Sequence, residues 1–376
     1  MATIVGGKGE WMLACHDSSY KMCRVEIGRP APGPDDVRIT LKYCGMCHSD
    51  LHTVDGSWGV NKYPIAVGHE LGGVVAEVGA AAAGKFKVGD KVAVGCMVHS
   101  CMTCGMCDSG LEQHCPQMTQ TYSSPFPSGC GHDDCAGTWT NGGYSTGITV
   151  HSRFCYTVPA EMPLEHAGPL CCAGVTTYSP LARHVKGKAG QSVGVVGFGG
   201  LGHMAVKIAV AMGAKVTVFS RSEAKKAEAE ALGATLAVYT DKAVVGGLFR
   251  QFDLILDTVS APHEINDLIS TLKPYTGVLT LIGGVPQPYQ VAGFPMIFNG
   301  TRVEGSLIGG AACTQEMLNF CAEHKIAPDV KIIPASDAEK VFAGFQAGEG
   351  GPVRNVIDIA TIMDVPEAQA DAGSSK

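Results

Sequence analysis

The chain has 376 residues, which is enough for two domains of ordinary size, each with a substantial core. Its 28 Lys and Arg against 35 Asp and Glu give a formal net charge of −7, which disfavours general binding to nucleic-acid phosphates. The first eleven residues lack the apolar stretch of a signal peptide, and no run of about 18 apolar residues predicts a membrane span. We therefore expect a soluble, cytoplasmic protein without membrane or nucleic-acid partners, and its 16 cysteines are more typical of thiols and metal ligands than of disulfides.

Short alternating strand patterns, separated by Gly and Pro, occupy the first part of the chain at residues 37–41, 73–78 and 91–94. Such patterns are typical of an irregular all-β barrel. From about residue 163 strands alternate with helices instead. Buried strand patterns are found at 192–196, 216–219, 254–256 and 278–282, and helical patterns at 201–212 and 223–232. This alternation predicts an α/β domain with a doubly wound parallel sheet.

Beyond about residue 304 the patterns predict helices at 314–324 and 337–347 and a strand at 355–359. These elements either extend the parallel sheet or return to the first domain. The last residues, 365–376, are small and polar, and we expect them to be disordered.

A glycine-rich segment, Gly197-Phe198-Gly199-Gly200-Leu201-Gly202, follows a predicted strand and opens a predicted helix. In that context G-x-G-x-x-G is the fingerprint of a dinucleotide site: the glycines allow a tight turn and close approach of the pyrophosphate, and the helix N-terminus faces its charge. A glycine-rich loop without a ligand is the alternative. The sequence therefore predicts a dinucleotide cofactor.

The end of the next strand indicates which dinucleotide. An acidic residue there would bind the ribose hydroxyls of NAD and repel a 2′-phosphate. Instead the strand is followed by Ser220-Arg221-Ser222, with Lys225 one helical turn further on. Hydroxyls and cations suit a phosphate, so we predict NADP(H), with a solvated basic turn as the alternative.

Two groups of residues have the chemistry of zinc ligands. The first has short spacings that let four thiolates surround one tetrahedral ion, and comprises Cys101, Cys104, Cys107 and Cys115. An iron–sulfur cluster or a disulfide-linked loop is the alternative for it. The second mixes residue types, as catalytic zinc sites do, and comprises Cys47, His69, Glu70 and Cys172. Its members are dispersed, and singly His69 and Cys172 are explained as well by core packing.

Together these motifs resemble the zinc-containing alcohol dehydrogenases of the medium-chain dehydrogenase/reductase superfamily, most closely their NADP-dependent, cinnamyl alcohol dehydrogenase-like branch. The resemblance extends over nearly the whole chain and includes the segment Cys172 to Leu181. It implies an α/β protein: a GroES-like, irregular β-barrel catalytic domain over residues 1–162 and 304–376, and a Rossmann cofactor domain over residues 163–303. It also implies a homodimer formed by extension of the cofactor sheets near residues 301–309, where Val303 to Ile308 has the pattern of an apolar strand.

The resemblance implies roles for the residues of the mixed cluster. Cys47, His69 and Cys172 match catalytic zinc ligands, with Cys171 as the alternative to Cys172, and Glu70 matches a fourth ligand that gives way to water or substrate. Four thiolates would hold the second, structural zinc ion of each chain.

Further roles follow from the same resemblance. Ser49 and His52 match a proton relay, and Asp50 matches a partner that orients His69; capping of a helix that begins there is the structural alternative for Ser49 and Asp50. Thr176, Gly283 and Val285 are expected beside the nicotinamide. Trp58 and Gln120 are expected at the substrate pocket, although a surface position explains Trp58 nearly as well.

The implied activity is reversible hydride transfer between NADP(H) and primary alcohols or aldehydes. Gln120 stands where plant cinnamyl alcohol dehydrogenases usually carry Trp, which favours a broad range of aromatic or medium-chain substrates. A zinc-containing NADPH reductase of C=C or C=N bonds is the alternative, and the presence of Ser49 and His52 disfavours it. A zinc-stabilised nucleic-acid-binding protein is a third hypothesis, which the acidic charge disfavours.

The segment Tyr122 to Tyr144 is longer than is usual in that family and contains Cys130 and Cys135. It is explained by an extra metal site, by a redox-sensitive disulfide or, as we favour, by a surface insertion.

Overall fold

The computed structural model describes residues 9–59, 62–126 and 138–368. Cys130 and Cys135 lie outside these residues. The chain divides into two compact units, the first formed by Met1–Cys172, Gly310–Asn319 and Asp329–Lys376, and the second by Ala173–Gly309 and Phe320–Pro328. The chain passes between the units at 172/173, 309/310, 319/320 and 328/329, whereas the resemblance implies boundaries at 162/163 and 303/304. The first passage comes later than expected because residues 164–169 pack on the strands of the first unit.

The first unit contains, within its described part, a seven-stranded sheet and two two-stranded ribbons. The strands are β1 (Glu10–Cys15), β2 (Met22–Ile27), β3 (Asp36–Gly45), β4 (Leu71–Val78), β5 (Lys91–Val94), β6 (Met97–His99), β7 (Thr119–Gln120), β8 (Gly147–His151), β9 (Tyr156–Thr157), β16 (Val330–Pro334) and β17 (Arg354–Asp358). The large sheet has the order β16-β17-β3-β4-β5-β9, with β8 also paired to β3, and all pairs except β16 with β17 are antiparallel.

Buried and exposed side chains alternate along β3, so one face of this strand lies in the core. Val37, Ile39 and Leu41 are buried while Thr40 and Lys42 are exposed, as expected for a strand with one face in the core. Strand β17 pairs with β3, so the end of the chain returns to the first unit.

The helices of the first unit are short. They are α1 (His48–Val54), α2 (Gly105–Asp108), α3 (Leu164–Pro169) and α11 (Ala338–Gln346), with 3₁₀ turns at Glu112–His114, Ser152–Phe154, Ala335–Asp337 and Ile359–Asp364. The expectation that residues 365–376 are disordered is wrong for the described part of that segment, residues 365–368, although it forms no helix or strand. Val365 is buried, and backbone hydrogen bonds join Arg24 to Pro366 and to Ala368, because the segment runs beside β2.

The second unit is a parallel sheet with helices. Its described strands are β10 (Ser192–Val196), β11 (Lys215–Ser220), β12 (Thr235–Val238), β13 (Leu254–Asp257), β14 (Val278–Leu281) and β15 (Arg302–Gly305), and its helices are α4 (Val175–His184), α5 (Gly200–Ala211), α6 (Lys226–Ala231), α7 (Lys242–Gly247), α8 (Asn266–Ser270) and α9 (Gly293–Asn299). Helix α10 (Ala311–Glu323) contributes residues to both units. The strand order β12-β11-β10-β13-β14-β15 is that of the Rossmann fold, which confirms the predicted fold class.

Three details of this unit differ from the sequence predictions. The helix expected at 223–232 is a 3₁₀ turn, Glu223–Lys225, followed by α6. The strand expected from Val303 to Ile308 ends at Gly305, and Ile308 has a φ of +31°, which an extended strand does not allow. Strand β12 was not predicted. Among the described residues, no helix has both the length and the apolarity needed to cross a membrane.

Candidate active site

Four side chains from separate parts of the first unit converge on one point. Cys47 precedes α1, His69 and Glu70 precede β4, and Cys172 lies in a π-helical stretch, Leu170–Gly174, that follows α3. One ligand atom from each of the four lies within 4.8 Å of the others. His69 Nε2 is 3.2 Å from Cys172 Sγ. The group contains Cys172, and not its neighbour Cys171, because the helical turn directs only one of the two thiols to it.

Glycines make room for Glu70 in this cluster. A Cβ at Gly45 would lie 2.0 Å from Glu70 Oε2, and a Cβ at Gly168 would lie 2.1 Å from the Glu70 carbonyl oxygen. Real Cβ atoms do not approach other atoms so closely, so both positions require glycine for Glu70 to occupy its place.

The Glu70 carboxylate tests whether a metal ion fits the cluster. The side chain is fully buried, and neither carboxylate oxygen has a hydrogen-bond partner among the described residues. Burial raises the pKa of Glu70 to about 7, against the effect of Arg354, whose Nε lies 3.5 Å from Oε2. A buried carboxylate without donors, beside two thiols and an imidazole, is a donor set that a zinc ion satisfies.

Arg354 was not found by sequence reasoning. It begins β17, and its Nη1 also donates to the Met46 carbonyl at 2.8 Å, which fixes the guanidinium beside the cluster. No motif marks it, and about 280 residues separate it from Glu70. Only the pairing of β17 with β3 brings it to the site.

Asp50 combines the two roles considered for it. Its Oδ2 accepts from the Cys47 backbone N–H at 2.8 Å, which caps α1, and its Oδ1 accepts from the Gly68 N–H at 3.0 Å. The same Oδ1 lies 3.2 Å from His69 Nδ1. Asp50 is fully buried, so it positions the backbone before His69 and the imidazole ring together.

The thiols of the cluster influence one another. A hydrogen bond from Cys172 lowers the pKa of Cys47 and raises that of Cys172, because the two sulfurs share one proton between them. Cys96, which no motif indicated, also lies beside Cys172, and their hydrogen bond lowers the pKa of Cys96. The lowered pKa of Cys47 favours the thiolate form that a metal ion binds, whereas Cys172 holds the proton of the pair.

The remaining residues predicted around this site lie on or near α1 and β7. Cys47 Sγ is 3.6 Å from Ser49 Oγ, and His52, three residues later on the same helix, has its Nδ1 3.1 Å from Ser57 Oγ. Trp58 stacks on the His52 ring with centroids 5.1 Å apart, yet is 56% exposed. Gln120 ends β7 with an exposed side chain.

The four-cysteine group forms a second cluster in the first unit, around α2. Its ligand atoms also lie within 4.8 Å of one another. Cys107 Sγ is 3.9 Å from Cys101 Sγ and 3.6 Å from Cys104 Sγ, close to the roughly 3.8 Å edge of a tetrahedron with Zn–S bonds of about 2.3 Å. The Cys115 sulfur accepts from the Cys101 N–H at 3.4 Å. A tetrahedral ion therefore fits this cluster as well.

In the second unit the glycine-rich loop lies between β10 and α5. Gly197 has a φ of +84°, which favours glycine, and a Cβ at Gly202 would lie 2.3 Å from the Gly197 carbonyl oxygen. Phe198 is buried against the ring of His203, and Gly199 precedes the first turn of α5. The loop thus places the amides of a helix N-terminus at the carboxyl edge of the sheet, where dinucleotides bind.

The basic segment after β11 is connected to this loop. Ser220 ends the strand, Arg221 and Ser222 are exposed, and Lys225 donates to the Phe198 carbonyl at 2.7 Å. Lys225 therefore links the segment predicted to bind a phosphate to the glycine-rich loop.

The residues predicted beside the nicotinamide also lie in the second unit. Thr176 is buried in α4, and Gly283 and Val285 follow β14. The Gly283 N–H donates to the Asp257 carbonyl at 3.0 Å, and a Cβ at Gly283 would lie 2.2 Å from the Val259 carbonyl oxygen. Gly283 thus packs directly on the turn that follows β13.

A buried ion pair fixes that turn and was not foreseen. Asp257 ends β13 fully buried, its Oδ2 lies 2.9 Å from His263 Nε2, and its Oδ1 accepts from the Val259 N–H at 3.1 Å. His263 Nδ1 lies 2.9 Å from the Ala261 carbonyl oxygen, so it carries a proton. The Asp257 carboxylate raises the pKa of His263, which favours its charged form.

The chain matches two family descriptions: "Alcohol dehydrogenase GroES-like domain" at residues 33–160 and "Zinc-binding dehydrogenase" at residues 200–323. It is 46% identical to 8-hydroxygeraniol dehydrogenase of Catharanthus roseus over 322 residues, 85% of this chain and 87% of that protein. It is 45% identical to aldehyde reductase YahK of Escherichia coli (strain K12) over 344 residues, 90% of this chain and 95% of that protein.

Two solved structures are similar over nearly the whole chain. The cinnamyl alcohol dehydrogenase SbCAD4 from Sorghum bicolor has a TM-score of 0.86 and 37% identity, covering 96% of this chain and all of that one. The structure of CAD from Helicobacter pylori complexed with NADP(H) has a TM-score of 0.82 and 36% identity, covering 94% of this chain and 99% of that one.

Proposed function

The chain belongs to the zinc-dependent alcohol dehydrogenases of the medium-chain dehydrogenase/reductase superfamily, and from this premise we propose which of its residues carry the activity. It is an oxidoreductase that transfers hydride between NADP(H) and alcohols or aldehydes and uses zinc. The proposed catalytic centre is the mixed cluster of the first unit. The observation that carries this assignment is the fully buried Glu70 carboxylate, which has no hydrogen-bond donor among the described residues and lies within reach of two thiols and an imidazole.

Cys47, His69 and Cys172 are the proposed ligands of the catalytic zinc, with Glu70 as a fourth that gives way to substrate. A zinc ion there supplies Lewis acidity, which polarises a carbonyl oxygen or acidifies an alcohol. Arg354, whose Nε lies 3.5 Å from Glu70 Oε2, would stabilise the charged form of this carboxylate whether or not it is bound to the ion. The Cys101, Cys104, Cys107 and Cys115 cluster holds a structural zinc ion.

Ser49 and His52 are the proposed route for the proton exchanged with the substrate oxygen. Ser49 lies beside Cys47, and His52 is three residues further along α1, on the same side of the helix. An imidazole exchanges protons near neutral pH, which suits the end of such a route. Trp58, stacked on His52, and Gln120 are the proposed contributors to the substrate pocket, which we expect to accept a broad range of primary alcohols and aldehydes.

The cofactor residues are proposed from the second unit. The loop from Gly197 to Gly202 binds the pyrophosphate, and the 2′-phosphate is held by Ser220, Arg221, Ser222 and Lys225. Lys225 reaches both the phosphate and the Phe198 carbonyl, so phosphate binding also positions the glycine-rich loop. Thr176, Gly283 and Val285 contact the nicotinamide.

Steady-state kinetics with paired cofactors and paired variants test this proposal. We expect NADPH to be preferred over NADH across aliphatic, aromatic and terpenoid aldehydes. Lys225→Met should raise the KM for NADPH about tenfold or more, since a charged hydrogen bond contributes about 1.5–3 kcal/mol. The KM for NADH should rise much less, because with NADH only the contact of Lys225 with the Phe198 carbonyl is lost. Lys226→Met is the control, because Lys226 is exposed and forms an ion pair with Glu223 at 3.6 Å. Preference for NADH, or reduction confined to C=C or C=N bonds in the same screen, would contradict the proposal.

The proton route has its own test. His52→Ala should slow alcohol oxidation most at low pH, where solvent is a poor proton acceptor, and added imidazole should restore part of the rate. Measurement of kcat as a function of pH with and without imidazole decides this. An unchanged pH profile would exclude His52 from the route.

We also propose a homodimer that forms along β15, and a cytoplasmic location, where a reducing environment keeps the 16 cysteines as thiols. Strand β15 pairs with β14 alone among the described strands, which leaves its other edge available. Phe294, Ile297 and Phe298 of α9 are at least 75% exposed, which is unusual for large apolar side chains. Sedimentation equilibrium should give twice the chain mass, and Phe298→Glu should shift the protein to monomer.

A further inference from the structure

A tyrosine hydroxyl lies against the imidazole of the proposed metal ligand His69. Tyr122 Oη is 2.9 Å from His69 Nδ1, and the two ring centroids are 5.6 Å apart. Tyr122 is 5% exposed, and a tyrosine hydroxyl, with an ordinary pKa of about 10, keeps its proton at neutral pH. The group beside Nδ1 is therefore an un-ionised hydroxyl, which both accepts and donates one hydrogen bond.

His69 has a single proton to offer at this position. Its Nε2 faces Cys172 at 3.2 Å and is the nitrogen that a metal would take, so the ring proton of the neutral imidazole sits on Nδ1. Two oxygens are near enough to accept it: Tyr122 Oη at 2.9 Å and Asp50 Oδ1 at 3.2 Å. Tyr122 is the nearer of the two, and Asp50 Oδ1 already accepts from the Gly68 N–H.

The hydroxyl of Tyr122 has its own acceptor in the same carboxylate. The contact with Asp50 gives the phenol proton an acceptor and leaves a lone pair on Oη for the His69 N–H. The three side chains thus form a chain of donors and acceptors from His69 to Tyr122 to Asp50. Asp50 alone would hold the ring at one point, whereas the hydroxyl adds a second contact that fixes its rotation.

The backbone before Tyr122 is fastened at the same place. The Thr121 N–H donates to the Cys96 carbonyl at 3.1 Å, and Thr121 Oγ1 donates to the Gly95 carbonyl at 2.5 Å. Cys96 in turn lies beside Cys172. The hydroxyl is therefore presented by a rigid segment rather than by a free side chain, as positioning of a metal ligand requires.

We propose that Tyr122 is a positioning residue of the catalytic metal site, whose hydroxyl accepts the Nδ1–H of His69 and holds the ring with Nε2 towards Cys172 and the ion. This rests on the proposed function, since it needs a metal ion at that cluster. Tyr122 acts through His69 and touches neither the ion nor the substrate.

The test compares two tyrosines of the same chemistry. Tyr122→Phe removes the hydroxyl at His69 and keeps the buried ring. Tyr144→Phe is the matched control, because Tyr144 is fully buried and its hydroxyl donates to Asp50 Oδ2 at 3.2 Å, whereas the oxygen near His69 Nδ1 is Oδ1. Both variants are purified with zinc bound, and zinc release to a chromophoric chelator is followed in each.

We expect Tyr122→Phe to release one of its two zinc ions about tenfold faster than the parent, the usual size of the effect when a hydrogen bond to a ligand is lost. Tyr144→Phe should release both ions at the parent rate. The cobalt-substituted protein should show a shifted visible spectrum in Tyr122→Phe only, since ligand-field bands respond to rotation of the imidazole. Unchanged release of the four-cysteine zinc serves as a check that the variant is folded.

Equal release rates in the two variants, or an unchanged cobalt spectrum in Tyr122→Phe, would overturn the positioning role and leave the proposed function intact. A parent protein that binds only one zinc ion would overturn the catalytic site itself, and the role of Tyr122 with it. Zinc content is measured before any activity assay, so the two failures are distinguishable.

Discussion

One buried ion pair connects the four-cysteine lobe, the segment from Cys101 to Cys115, to the rest of the first unit. Glu112 is 1% exposed, and its Oε1 accepts from Arg153 Nε at 2.7 Å and lies 2.6 Å from Nη2. Arg153 Nη2 also donates to the Cys107 carbonyl at 3.0 Å, and Glu112 Oε2 accepts from the Ala311 N–H at 3.0 Å. The pair therefore connects a proposed zinc ligand, the turn after β8 and the start of α10.

We predict that Arg153→Met destabilises the lobe by about 2–3 kcal/mol. Removing one partner of a fully buried ion pair costs about 3–5 kcal/mol, but the Arg153 side chain is 36% exposed, so water replaces part of what is lost. Glu112→Gln should cost about 1–2 kcal/mol, because the amide is neutral and keeps one acceptor oxygen. In the double variant no buried carboxylate is left without its guanidinium. The loss of unfolding free energy should therefore be about 1–2 kcal/mol smaller than the sum of the two single losses.

Release of the four-cysteine zinc to a chelator, in urea below the unfolding transition, measures this directly. If release requires the lobe to open, a loss of 2 kcal/mol corresponds to about 30-fold faster release. Activity per zinc-loaded molecule should not change, because the pair is not part of the mixed cluster. Single effects that add to within about 0.5 kcal/mol in the double variant would refute the reasoning.

Two further predictions concern the second unit. Gly202→Ala should lower the free energy of unfolding by about 1–3 kcal/mol, since the added Cβ meets the Gly197 carbonyl. Gly199→Ala, with nothing within 4 Å of the added Cβ, should keep the parent Tm but lose NADPH binding, because the Cβ would contact the pyrophosphate. Calorimetry of both variants, with and without NADPH, decides this. The raised pKa of His263 means that its pair with Asp257 stabilises fully below about pH 6.5 and is lost as the pH rises through the folded pKa. His263→Gln should therefore lower Tm by about 2–4 °C at pH 6 and leave it unchanged at pH 9, and equal losses at both would contradict this.

Features encoded within a few neighbouring residues were predicted well from the sequence. The glycine-rich loop carries its own evidence, because a strand, a positive-φ glycine and a helix follow one another within the segment from Ser192 to Ala211. The alternation of buried strands and helices likewise predicted the parallel sheet. The prediction of a strand from Val303 to Ile308 was wrong at its C-terminal end, because an apolar pattern does not show that the backbone at Ile308 has a positive φ.

Features made by long-range packing gave no signal in the sequence. Arg354 belongs to a short strand whose composition indicates only a sheet, and its charge reaches Glu70 only through the pairing of β17 with β3. Tyr122 lay at the start of a segment interpreted as a surface insertion, yet it is buried against His69. A lone aromatic or basic residue has many structural explanations, and only the fold shows which one applies.

The two proposed zinc sites differ in charge, and their burial follows from that difference. With zinc bound, the mixed cluster carries two thiolates and a carboxylate, three negative charges that the ion and the Arg354 guanidinium balance. The buried Asp50 carboxylate beside it is compensated by hydrogen bonds from the Cys47 and Gly68 N–H groups. Such neutrality is what allows Glu70 to be fully buried, since an unbalanced charge there would cost several kcal/mol. Four thiolates around one zinc ion leave two negative charges unbalanced, and Cys101 and Cys104 of that cluster are accordingly only partly buried, where water screens them. Arg354 therefore supplies a positive charge that the proposed catalytic site needs in order to be buried, although no motif revealed this residue.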